Sequence, residues 1–258
     1  MTTHFDRRAF LRTLAASTTG IVASGCLIPS RVPPRIDQGV HPLGAIPRMS
    51  RAARGGIAVG AASVDITPPP GSRVHLAGFG FSRVMRSVRD PIFAQCFYVD
   101  DGARRFALVV LDVVGLPYPS VLRIRQLVGN GIDVVVASTH NHQGPDTIGY
   151  WGKSLLRVVP VQSGIDVDYL RVVERRAALS VKRASDAARP ARTFFARASL
   201  PKGIVRNLRT PGHFDDAIDV LEARDVKDGR PLARFVDFAC HPETLGDRAY
   251  LLTADFPG

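Results

Sequence analysis

Runs of apolar and polar positions along the chain predict an alternation of strands and helices. "GGIAVGAASVDITPPPG" reads as a strand ending at Thr67, after which Pro68 to Gly71 impose a turn. "HLAGFGFS" is a glycine-rich loop. "DPIFAQCFYVDDGARRFALVVLDVVG" reads as a hairpin, with strands near 93–99 and 105–113 and a turn at Asp101-Gly102. "PYPSVLRIRQLVGNG" is a helix with a proline near its start and Gly131 beyond its end. "IDVVVAST" is a continuous β-branched run near 132–138, as expected of a strand buried on both faces. Leu170, Val173, Ala177, Val181 and Ala184 keep helical spacing within Asp168 to Ala188. "ARTFFARASL" is a strand, and a second hairpin follows with its turn at Asp228-Gly229. The expected fold is α/β, a single domain with a mixed β-sheet flanked by helices.

The 258 residues suffice for such a domain and its core. The formal charge is +11, carried mainly by arginine, since only Lys153, Lys182, Lys202 and Lys227 are lysines. Residues 1–56 hold a net +6 of it, so the excess is concentrated ahead of the folded body. No basic, aromatic-interleaved strip is present, which argues against a nucleic-acid partner. "DRRAFLRTLAA" pairs Arg7 and Arg8 with a short apolar run and resembles a twin-arginine export signal. "VASGC" resembles a lipobox ending at Cys26. The expected organisation is an export signal over 1–25, a Pro- and Arg-rich tether over 26–55, and a body over 56–258. The expected location is the periplasm, or a membrane surface reached through a lipid anchor at Cys26. Cys96 and Cys240 lie in strand-like runs, as buried thiols or as a disulfide.

Chemistry concentrates in "ASTHNHQGPDT". Residues i and i+2 of an extended chain face one side, so His140 and His142 can share a cavity where a strand ends. Imidazole is a preferred zinc ligand, although a bare His-x-His is also common as loop decoration. "FVDFACHPETLG" repeats the arrangement: a strand ends in His241, followed by proline. Three histidines at two strand ends of one sheet can converge on one ion. Asp146 and Asp255 are either extra carboxylates or loop aspartates bonding nearby backbone N–H groups. A two-metal phosphoesterase is a lesser alternative, since such sites usually need closely spaced carboxylates and neither histidine motif carries such a pair.

Four ordered segments, "VGAASVDITPPPG", "LAGFG", "STHNHQGPDT" and "FACHPETLG…LLTADFPG", resemble the N-terminal catalytic domain of the neutral/alkaline, non-lysosomal ceramidase family. The resemblance spans residues 57–258. It implies a zinc-dependent hydrolase of N-acyl sphingoid or related N-acyl lipids, with His140 and His241 as zinc ligands and His142 beside the substrate. Three departures are evident. Asn141 and Gln143 stand where the family often has Thr and Ser. In "VRNLRTP", Leu208 takes the place of an arginine, whose role then falls to Arg209 or, as the second choice, Arg206; Arg209 is the candidate catalytic residue. The family pattern also continues past "TADFPG", with a glutamate and a tyrosine ligand and a catalytic serine. The chain is therefore expected to be an N-terminal portion. The alternative expectation is a truncated, catalytically inactive lipoprotein domain that binds lipid or metal weakly.

Overall fold

Alternate residues of Ile57–Asp65 point to opposite faces of strand β1, which Phe93–Asp100 (β3) pairs antiparallel from Ala58↔Asp100 to Asp65↔Phe93. This is the start of the body as seen in the computed structural model, which describes residues 56–258 apart from Arg157 and Lys202. The export-like segment, Cys26 and the tether lie outside the described residues. Between the two strands lies the short β2, Ser87–Val88. Asp101-Gly102 turns the chain into β4, Arg105–Leu111, with Asp101 N–H bonded to Arg104 O. Helix α1 covers Tyr118–Val128, and β5, Asp133–Ser138, then runs parallel to β4. The two-residue strands β6 (Ser154–Leu155) and β7 (Val159–Pro160) pair with each other. Helix α2 covers Val167–Asp186, with the Asp166 carboxylate accepting from Tyr169 N–H at its start. Strands β8 (Arg189–Ser199), β9 (Ala217–Asp225), β10 (Pro231–Phe238) and β11 (Leu251–Leu252) complete the body.

Seven strands form one mixed sheet in the order β10-β9-β8-β1-β3-β4-β5, and β11 pairs parallel with β2. The fold is thus α/β, as expected. The helices share one face. Val173, Ala177, Val181 and Ala184 of α2 and Ile124 of α1 pack on Ala94, Cys96 and Tyr98 of β3 and on Ala107, Val109 and Leu111 of β4. Gly60 lets α2 ride directly over β1, because a Cβ there would run into the Ala184 carbonyl. Cys96 is buried in this core and Cys240 is half-buried; both are free thiols.

Two expectations need correction. β5 is not buried on both faces: it is an edge strand, with Val134 in the core and Val135 44% exposed on the uncovered face. A β-branched run reports strand propensity, and only the helix placement decides which face is covered. The first strand ends at Asp65 rather than Thr67, because the Asp65 carboxylate turns back to accept from Thr67 N–H. No helix among the described residues is long and apolar enough to cross a membrane.

Candidate metal centre

Parallel pairing carries β4 and β5 to the same end of the sheet, with Leu111↔Ser138 as the last pair. The ladder continues into the loops, where Thr139 N–H donates to Leu111 O and Asn141 N–H to Val113 O. Between them His140 takes a left-handed backbone (φ 63°) and turns its ring toward the first loop. Its Nδ1 lies 2.7 Å from Val114 O. A carbonyl only accepts, so Nδ1 carries the proton and Nε2 keeps the lone pair that a metal requires.

His142 is buried, at 7% exposure. Gly78 (φ +91°) lets the glycine-rich loop lie flat on it, because a Cβ at this position would collide with His142 Cγ. Phe79 meets the ring edge-on at 5.2 Å, and Ala77 N–H donates to Gly144 O from the same loop. Burial first, then the charges of His241 and His140, hold the His142 pKa down to about 4. At neutral pH it is a neutral imidazole.

His241 follows β10 by three residues and is half-exposed. It stacks on His140 at 4.9 Å (19° between planes) and meets His142 edge-on at 4.3 Å. β5 and β10 stand at opposite edges of the sheet order, and the loops that follow them bring the histidines together, with His142 N–H donating to Pro242 O. One nitrogen from each of His140, His142 and His241 lies within 4.8 Å of the others. Nearby, Glu243 places Oε1 3.3 Å from His241 Nδ1 and Oε2 3.6 Å from His142 Nδ1.

The donor set fits a divalent transition ion. It consists of three imidazoles with one nitrogen each converging, and His140 has its Nδ1 held by a backbone carbonyl so that Nε2 is the free donor. Asp146 and Asp255 stand outside the cluster. Asp146 accepts from the N–H groups of Ile148, Gly149 and Trp151; Asp255 accepts from the Thr244 N–H and hydroxyl and from Phe256 N–H. Both are loop aspartates. Arg209 lies exposed in the β8–β9 loop, where its backbone N–H donates to Asn207 Oδ1. Its side chain makes no hydrogen bond or ion pair among the described residues, so no such contact links it to the histidines.

The polar residues that hold the loops were not recognisable by pattern. Arg83 is fully buried, donating to Ala77 O at 2.9 Å, Gln143 Oε1 at 2.7 Å and Ala249 O at 2.6 Å. Asn141 Nδ2 donates to Thr253 O and Gln143 Nε2 to Gly246 O, tying the His-x-His loop to the C-terminal segment. Glu243 had a usable signal: His241-x-Glu243 has the same i, i+2 spacing as His140-x-His142.

Solved ceramidase structures share this fold. A ceramidase complexed with C2 superposes with a TM-score of 0.64 at 20% identity, covering 78% of this chain and 33% of that one. The neutral ceramidase from Pseudomonas aeruginosa gives 0.63 at 19% identity, covering 78% and 34%. The chain spans about a third of the length of these structures. No protein-family model and no curated protein sequence matches it. The chain has a neutral-ceramidase-like fold, with three histidines placed to hold a metal.

Proposed function

We propose that the chain belongs to an exported, zinc-dependent amide hydrolase that cleaves N-acyl sphingoids or related N-acyl lipids. The observation that carries this reading is the convergence of His140, His142 and His241 at two strand ends of a neutral-ceramidase-like fold. His140 and His241 hold the ion, the former with its tautomer set by Val114 O. When bound, zinc supplies Lewis-acid activation of an amide carbonyl and of water. His142 faces the substrate and, kept neutral, exchanges a hydrogen bond or a proton with the reacting amide. The twin-arginine segment and Cys26 support export and anchoring, which would bring the site to amphiphilic substrates at a membrane surface.

The test is release of fatty acid from an N-acyl sphingosine by the full-length gene product, as isolated, after chelation, and after zinc is restored. The reading requires loss on chelation and recovery with zinc. A protein carrying stoichiometric zinc but showing no turnover would refute it. That result would support instead a lipid- or metal-binding domain without catalysis. Leu208, standing where the family pattern has an arginine, favours that second reading.

A further inference from the structure

One carboxylate faces two members of the histidine cluster. Glu243 Oε1 and Oε2 are directed at the Nδ1 atoms of His241 and His142, at 3.3 and 3.6 Å. Backbone geometry places it there: Glu243 N–H donates to His241 O, and His142 N–H donates to the carbonyl of the intervening Pro242. The two loops are therefore clasped at the point where the carboxylate sits. His140 needs no such partner, because Val114 O already occupies its Nδ1.

An imidazole whose Nδ1 donates to a carboxylate presents its Nε2 lone pair outward, and the carboxylate fixes the ring's rotation as well as its tautomer. A lone pair on His142 Nδ1 would instead face carboxylate oxygen, an unfavourable meeting of acceptors. We propose that Glu243 is a positioning residue of the centre: its carboxylate faces both Nδ1 atoms at ion-pair rather than hydrogen-bond geometry, and its charge favours the Nδ1–H tautomer of His142 and of His241 and orients them as a pair. This rests on the metal-centre reading above. It adds a physical link between the ligand His241 and the substrate-facing His142, so that one side chain sets both.

Glu243 is 43% exposed, so replacing it leaves the core intact. The first measurement uses metal-free protein. Side-chain nitrogen NMR should show His142 and His241 as Nδ1–H tautomers in the wild type. Glu243→Ala should shift both toward Nε2–H while His140 is unchanged. The second is zinc affinity, by competition with a chromophoric chelator. Glu243→Ala should weaken binding about 10- to 100-fold. Glu243→Gln, with a single acceptor oxygen, should recover part of that loss. Cobalt-loaded Glu243→Ala should keep the wild-type absorption bands, because the coordinating atoms are the same. Unchanged tautomers and affinity would overturn the proposal. Loss of metal as complete as in His241→Ala, with altered cobalt bands, would also overturn it by making Glu243 a ligand. If the wild type binds no metal at all, the reading of the site as a metal centre fails, and the tautomer measurement still decides whether Glu243 orients the two rings.

Discussion

The Nδ1 of His140 is 2.7 Å from the backbone carbonyl of Val114, a bond between the loops that leave β5 and β4. A side-chain tautomer is thus set by main chain, which no substitution at 114 removes. His142 has no such bond and is buried beside the cluster. The two histidines should therefore respond differently to replacement. His142→Ala should retain zinc while lowering hydrolysis about 100-fold or more. His140→Ala should lose the metal. Chelator competition and a turnover assay on the same samples check this. Equal loss of zinc in both variants would make His142 a ligand.

Gly78 is the contact between the glycine-rich loop and the His142 ring. Its positive φ and the lack of room for a Cβ act together. Gly78→Ala should cost roughly 1–3 kcal/mol from backbone strain alone, with further loss from displacing the ring. At a few degrees of melting temperature per kcal/mol for a domain of this size, thermal unfolding resolves it. The wild-type midpoint in Gly78→Ala would contradict the packing described.

Arg83 joins three segments distant in sequence; its bonds to Ala77 O and Gln143 Oε1 are buried and that to Ala249 O is partly buried. Its guanidinium loses hydration on burial, which pulls its pKa down. Arg83→Ala strands those acceptors at about 1–3 kcal/mol each and should unfold the site first. Arg83→Lys keeps the charge but not the fork geometry and should fall between the two. Denaturant titration of the three proteins gives the order.

Much of this architecture was legible in the chain. The hairpins at Asp101-Gly102 and Asp228-Gly229, the α2 periodicity and the two strand-end histidine motifs all appear where local pattern placed them, because each is dictated within about 20 residues. Non-local placement was not legible. "IDVVVAST" reads the same in a central or an edge strand, and its true position depends on the helices sharing one face. Convergence of His140 and His241 from loops that follow opposite edge strands is a tertiary arrangement with no local sequence signature. Arg83 looks like any loop arginine until its acceptors, up to 166 positions away, are assembled around it.

Glu174 offers a pH test away from the site. Its carboxylate is 2% exposed and lies between Arg123 and Arg171. Burial pushes its pKa up, but hydrogen bonds from Arg123, Ser120 and Arg171 outweigh it, and the net shift is downward from 4.5. A folded-state pKa below the unfolded one adds stability that is full above the unfolded value and is lost as pH falls through the folded value. Glu174→Gln should therefore be less stable at neutral pH and should lose less stability on acidification below 4.5. Urea unfolding at several pH values measures this, and parallel acid limbs in the two proteins would contradict it.

The central claim is that His140 and His241 hold one zinc ion. Plasma emission spectroscopy on the full-length gene product, purified without chelator, tests it most directly. The prediction is about one zinc per chain in the wild type and none in His140→Ala or His241→Ala, with all three proteins folded by circular dichroism. Stoichiometric zinc that persists in both variants, or a wild type that takes up none when zinc is supplied, would contradict it.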